Sequence, residues 1–227
     1  MKIVLISDTH TARPELPEGD ILIHAGDWTM DGHLIELKGQ MKWIETLRER
    51  YTAVIGIAGN HDFCLEDHRV DQARMMLEDA GVTYLQDQSL FLGGLNFYGS
   101  PWQPWFGGWA FNAMRGADIK QYWDKIPQNT DVLITHGPPK GVLDKTPAHY
   151  GNQNVGCEEL AFAVDRIRPK LHVFGHIHNG YGMEVDKGVQ FVNASIMNES
   201  YKPVNVPIAV EVFTNIIEGE PQNPCQS

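Results

Sequence analysis

Eight side chains of types that ligate divalent cations or move protons stand just where an apolar run of the sequence stops. Asp8 and His10 follow Ile3-Val4-Leu5-Ile6, and Asp27 follows Ile21-Leu22-Ile23-His24-Ala25-Gly26. Asn60 and His61 follow Ala53-Val54-Ile55-Gly56-Ile57-Ala58-Gly59, and His136 follows Asp131-Val132-Leu133-Ile134-Thr135. His176 and His178 follow Leu171-His172-Val173-Phe174-Gly175. One ion cannot use so many donors. Two ions sharing Asp27 as a bridge would take seven and leave His61 free to move a proton, the inventory of two-metal hydrolysis. Imidazole, carboxylate and amide oxygen together suit Mn, Fe, Zn, Co or Ni better than Mg or Ca, and two Mn2+ ions are the expected pair.

Runs of this length bounded by glycine fit buried strands, and open α/β sheets bind ligands outside the carboxyl ends of such strands. On an extended chain, alternation would point Asp8 and His10 to one side, and His176 and His178 likewise. A lone Asp-x-His reads more readily as a turn cap beside a solvated histidine; recurrence at several strand ends reverses that preference. His24 and His172 lie inside their runs and read as structural histidines. Helical spacing of Leu34, Leu37, Met41, Ile44 and Leu47 predicts a helix over 33–49, and Val70, Ala73, Leu77 and Ala80 predict another before Gly81. A third is expected from Gly156 to Arg168, with Glu158 and Glu159 in its first turn and Pro169 as terminator. Further strands are expected over 189–193 and 207–213. The aromatic stretch Ser100 to Asn112, with Trp102, Trp105, Phe106 and Trp109, cannot be a regular helix or a central strand because of its prolines. It reads either as a loop that stacks on a substrate ring or as a satellite hydrophobic cluster.

The length of 227 residues fits one domain, placed at 1–217, with 218–227 as a flexible tail. A net charge of -11 argues against duplex nucleic acid as a standing partner. Two divalent ions would outweigh Asp8, Asp27 and a bridging hydroxide, so a small phosphate ester could still be drawn to the site. Cys64, Cys157 and Cys225 are odd in number and widely spaced, which suggests reduced thiols and a cytoplasmic setting. No run is long enough to span a membrane.

The ordered motifs Asp8-x-His10, Gly26-Asp27, Gly59-Asn60-His61-Asp62, His136 and Gly175-His176-x-His178 resemble those of the calcineurin-like metallophosphoesterase superfamily. Pro101-Trp102-Gln103-Pro104-Trp105-Phe106, Thr135-His136-Gly137-Pro138-Pro139 and Arg168-Pro169-Lys170-Leu171-His172-Val173-Phe174-Gly175 are similar to segments of its metallophosphoesterase-domain-containing (MPPED) branch. The resemblance implies an α/β fold, a four-layer α-β-β-α sandwich of two β-sheets with a dinuclear metal site at the strand ends. It implies that Asp8, His10, Asp27 and His178 hold one ion and Asp27, Asn60, His136 and His176 the other. A bridging hydroxide would attack phosphorus in line, with His61 as general acid, making the protein a phosphodiesterase of small esters such as cyclic nucleotides. A nucleotide phosphomonoesterase and a non-catalytic scaffold are the alternatives. Vertebrate members of that branch carry Gly where this chain has His176, so the ligand set here is the fuller one. Asp62 stands where Glu is common there, a difference expected to matter little. The arginine signature of protein serine/threonine phosphatases is missing after Asp27, which argues against a phosphoprotein substrate.

Overall fold

The computed structural model of the protein describes residues 1–214. The tail expected over 218–227, the domain limit at 217 and Cys225 lie outside them. In chain order the elements are β1 (Lys2–Ile6), β2 (Ile21–His24), α1 (Leu34–Glu45), β3 (Ala53–Gly56), α2 (Val70–Asp79), β4 (Val82–Tyr84), β5 (Gln88–Leu92) and β6 (Leu95–Ser100). There follow the two-residue strands β7 (Gln103–Pro104) and β8 (Asn112–Ala113), α3 (Ala117–Trp123), β9 (Val132–Thr135), α4 (Glu158–Ile167), β10 (Leu171–Phe174), β11 (Gly182–Asp186), β12 (Val189–Asn193) and β13 (Ile208–Glu211).

Two large sheets are built from these strands, beside the small β7-β8 pair. One runs β13-β1-β2-β3-β4 and the other β11-β12-β10-β9-β6-β5. The period-2 pleat divides their side chains between layers. Ile3 and Leu5 of β1 enter the core between the sheets, with Ile21, Ile23, Phe97, Ile134 and Val173. Val4 and Ile6 turn the other way and pack with Leu37, Met41 and Ile44 of α1 and Ala73 and Leu77 of α2. On the far side, Leu133 and Phe174 pack with Ile119 and Trp123 of α3 and Leu160 and Val164 of α4. Three cores separate four layers, in the order helix, sheet, sheet, helix.

Within each sheet the central strands are parallel, so their carboxyl ends share one edge. Ile6 pairs with His24 and His24 with Gly56 in the first sheet. Val173 pairs with Ile134, and Phe174 with Asn193, in the second. The two edges are then joined. Ser7 N–H donates to Ala194 O at 2.9 Å and Ile196 N–H to Ser7 O at 2.9 Å, so the chain leaving β1 runs beside the chain leaving β12. Loops from both sheets therefore empty into one space.

The expected helices form, somewhat shorter than the periodic runs suggest. The α3 helix and strand β11 carry no comparable signal: seven residues make only two turns, and β11 is a largely exposed edge. Among the described residues no helix is long and apolar enough to cross a membrane. Cys64 and Cys157 are buried free thiols.

Candidate metal centre

The structure brings all eight candidate side chains together, but not by strand alternation. The main chain of Asp8, His10, Asp27 and His176 is left-handed, with φ of 51°, 40°, 59° and 67°. His178 opens a 3-10 turn. The extended geometry expected for Asp8-x-His10 and His176-x-His178 is thus replaced by tight turns beyond the last pleated residue. Non-glycine residues hold this conformation at a cost of about 1 kcal/mol or more each, a pattern that concentrates at functional sites. The glycine of Gly26-Asp27 is enforced by space: a Cβ there would come within 2.6 Å of Ala58 O and of His136 Nδ1. At Gly59 a Cβ would strike Asp27, and at Gly175 it would strike Asp8 and Ser7.

Four histidines are set by the same device. Each spends its Nδ1–H on a backbone carbonyl: His10 on Thr29 O (3.0 Å), His61 on Met30 O, His136 on Ala25 O (2.9 Å) and His178 on Asn198 O (3.1 Å). That leaves Nε2 of each ring turned toward the others, the orientation that carbonyl partners impose on metal-binding histidines. The Nε2 atoms meet two carboxylates. Asp8 Oδ1 is 3.3 Å from His178, while Asp27 Oδ2 is 3.4 Å from His136 and 3.6 Å from His10. His61 N–H holds the other oxygen of Asp27 at 2.8 Å. Asn60 Oδ1 lies 2.9 Å from His136 Nε2 and 2.8 Å from His176 Nδ1.

Three triads place ligand-type atoms within 4.8 Å of one another: Asp8, His10 and His178; His10, Asp27 and His61; Asp8, Asp27 and His136. Asp8, His10 and Asp27 each belong to two of them, and His61 stands within ligand reach as well as at the cavity. Buried His10 Nε2 has no hydrogen-bond partner. A cation would satisfy that atom and the facing carboxylates together. The charge balance points the same way. Burial alone would keep His136 neutral, but the Asp27 carboxylate pushes its imidazole up to about 9. Burial works against ionising Asp27 and Asp8 as well, yet the imidazoles of His136 and His178 hold both carboxyls below the usual range.

His24 and His172 stay outside the centre, as expected of histidines within a strand. Gly26 N–H donates to His24 Nδ1, its Nε2–H donates to Thr9 Oγ1 at 2.9 Å, and the ring stacks on Trp28 at 3.5 Å. His172 donates to Thr135 Oγ1 at 2.8 Å beside Phe174. Burial pushes each imidazole down to about 3.

Asp62 is the residue whose role the sequence conceals. Its Oδ2 accepts from the N–H groups of Asp27 (2.9 Å), Trp28 (3.2 Å) and Gly59 (2.9 Å). Its Oδ1 accepts from the N–H (3.0 Å) and hydroxyl (2.8 Å) of Thr29. One buried carboxylate thus staples the loop after β2 to the loop after β3. Burial, with Asp27 nearby, pushes its carboxyl up to about 6. An orphaned buried donor costs about 1–3 kcal/mol, so Asp62→Ala is expected to destabilise the fold by at least about 3 kcal/mol in chemical denaturation. A loss under about 1 kcal/mol would contradict the stapling role. Ser195 supports the other carboxylate, its hydroxyl donating to Asp8 Oδ2 at 2.8 Å.

The aromatic stretch divides between its two readings. Trp102 stacks on Tyr122 at 4.0 Å and packs against the core. Trp105, Phe106 and Trp109 instead line a cavity of about 560 Å³ that opens from Asp27, Asn60 and His61. Trp109 lies 4.2 Å from the His61 ring and Phe106 5.0 Å from His176. Pro147, Tyr150 and Tyr201 contribute to the remaining wall.

Comparison with known proteins agrees with this architecture. Residues 1–180 match the family model for calcineurin-like phosphoesterases. Metallophosphoesterase domain-containing protein 1 of Homo sapiens is 40% identical over 238 residues, covering 94% of this chain and 71% of its own length. A UPF0046 protein of Caenorhabditis elegans is 35% identical over 222 residues, covering 92% of this chain and 74% of its own. The crystal structure of a Thermus thermophilus protein superposes with a TM-score of 0.54 at 12% identity, covering 85% of this chain and 88% of the other, a likeness of fold. By sequence and by fold, this chain belongs to the calcineurin-like phosphoesterase family.

Proposed function

We propose that the protein is a two-metal phosphodiesterase of small esters, with cyclic nucleotides among the candidate substrates. The observation that carries this reading is the turning of the His10, His136 and His178 Nε2 atoms onto Asp8 and Asp27, with His10 Nε2 left unpartnered. Asp8, His10, Asp27 and His178 would hold one ion, and Asp27, Asn60, His136 and His176 the other. Bound there, the ions, Mn2+ being the first choice to test, would supply positive charge to the phosphoryl oxygens and a nucleophile at neutral pH.

The chain's own residues do the rest. Asp27, anchored at one oxygen by His61 N–H, keeps the other between His10 and His136. His61 cannot use Nδ1, which is spent on Met30 O, so Nε2 is the atom that gives a proton to the leaving oxygen. Trp105, Phe106 and Trp109 shield the centre and offer flat apolar surface to an organic substituent. Arg115, the arginine in the cavity wall, is committed to Val155 O, Gly156 O and Glu158. A diester carries one charge on phosphorus and needs no further cation; a monoester dianion or a polyphosphate would benefit from one. Nitrophenyl phosphodiester turnover, measured beside the matched monoester, is therefore expected to be the faster. Faster monoester cleavage would instead indicate a nucleotide phosphomonoesterase.

A further inference from the structure

The turn that follows β12 carries a tyrosine into the centre. Asn198 N–H donates to Lys202 O at 3.0 Å and Tyr201 N–H to Asn198 O at 2.8 Å, closing a tight turn whose residue Tyr201 has φ of 55°. Hairpin turns of this kind place glycine or asparagine at their left-handed position, where a bulky side chain is strained. A tyrosine kept there needs a reason outside the turn. Its ring meets three imidazoles edge-on, with centroids 5.0 Å from His10, 5.3 Å from His178 and 6.0 Å from His61. Its hydroxyl lies 3.5 Å from His61 Nε2. The same turn supplies Asn198 O, the acceptor that orients His178.

We infer that Tyr201 is a positioning residue for His61, its hydroxyl holding Nε2 toward the cavity where the leaving oxygen departs. The inference rests on the reading of His61 as the acid. With Nδ1–H given to Met30 O, a neutral His61 has only a lone pair at Nε2, and the Tyr201 hydroxyl donates to it. When Nε2 carries the proton to be delivered, the phenolic oxygen, 3.5 Å away, becomes a weak acceptor that shares this N–H with the leaving oxygen and keeps the ring edge in place. As the P–O bond breaks, its electron pair stays on the leaving oxygen and the Nε2 proton moves there. His61 is left neutral, and the Tyr201 O–H turns back to donate to it. The other face of the ring is fixed by Trp109, 4.2 Å away, so Tyr201 controls the edge at which the proton is exchanged.

The test pairs Tyr201→Phe, which keeps the ring and loses the hydroxyl, with His61→Ala and the double variant. Each is assayed with Mn2+ on a phenyl and a nitrophenyl phosphodiester, the first of which depends far more on protonation of its leaving group. Tyr201→Phe is expected to lower the phenyl-to-nitrophenyl ratio of kcat about tenfold, a fraction of what a general acid contributes. In the His61→Ala background the same substitution should lower it no further. Equal losses on both esters, or a full further loss in the double variant, would overturn the inference. A second readout needs no turnover: in nitrogen-15 spectra of the metal-stripped protein, Tyr201→Phe should displace the His61 Nε2 resonance. An unmoved resonance would overturn the inference. A displaced resonance in a protein that cleaves neither ester would uphold the contact and refute the phosphodiesterase reading alone.

Discussion

Asp27→Asn is expected to lower kcat for a nitrophenyl phosphodiester by about a hundredfold to a thousandfold, the scale on which loss of one preorganised electrostatic group is felt. The substitution is close to isosteric, and asparagine accepts the left-handed main chain at φ of 59° readily, so folding should survive. What it removes is the charge that faces His10 and His136 at once. One carboxylate oxygen stands between two histidines that would belong to different ions, so its loss should weaken both ion sites rather than one. Steady-state kinetics with Mn2+ titrated over a wide range checks this. Full turnover at ordinary Mn2+ would show that Asp27 does not join the two sites.

His61→Ala should cost about a hundredfold to ten-thousandfold on a phenyl phosphodiester, the usual range for removing a positioned general acid. Its cost on the nitrophenyl ester should be much smaller, because that leaving group departs without help. The split separates two roles that the geometry allows. His61 lies in a ligand-type triad with His10 and Asp27, and a histidine that served as a metal ligand would, when removed, slow both esters alike. Equal losses on the two esters would therefore move His61 from acid to ligand.

Strand ends were legible because a parallel strand buried on both faces writes itself as a continuous apolar run, and because the side chain that ends the run is polar for a reason packing does not supply. Asp8, Asp27, Asn60 and His136 could be found that way. Their conformation could not. Asp8, His10, Asp27 and His176 turn left-handed just past the last paired residue, and although aspartate and histidine enter that region more often than most non-glycine residues, their type alone does not say which of them will. The sandwich itself follows from alternation in β1, where Ile3 and Leu5 face the second sheet and Val4 and Ile6 the helices.

Asp62 and Tyr201 illustrate what spacing hides. The donors to Asp62 come from residues 27 to 29 and from Gly59, so its role exists only once β2 and β3 are side by side. Tyr201 is separated from His61 by 140 residues and lies in a turn with no apolar run to point at it. The Trp102 to Trp109 stretch held two roles in one composition: Trp102 inserts against Tyr122, while Trp105 stays exposed at the cavity. Aromatic content alone cannot divide a loop into its packed and its open half, because either placement buries some apolar surface.

The most direct test of the metal-dependent mechanism is to strip the full chain with chelator, return Mn2+ in steps, and follow bound ion per chain and phosphodiester turnover on the same samples. Two ions are expected to bind per chain, with turnover that appears as the second is filled and no comparable binding in Asp27→Asn. Retention of no ion by the wild-type chain, or two bound ions without turnover of any phosphate ester under Mn2+ or the other candidate metals, would contradict that mechanism and favour a non-catalytic role for this fold.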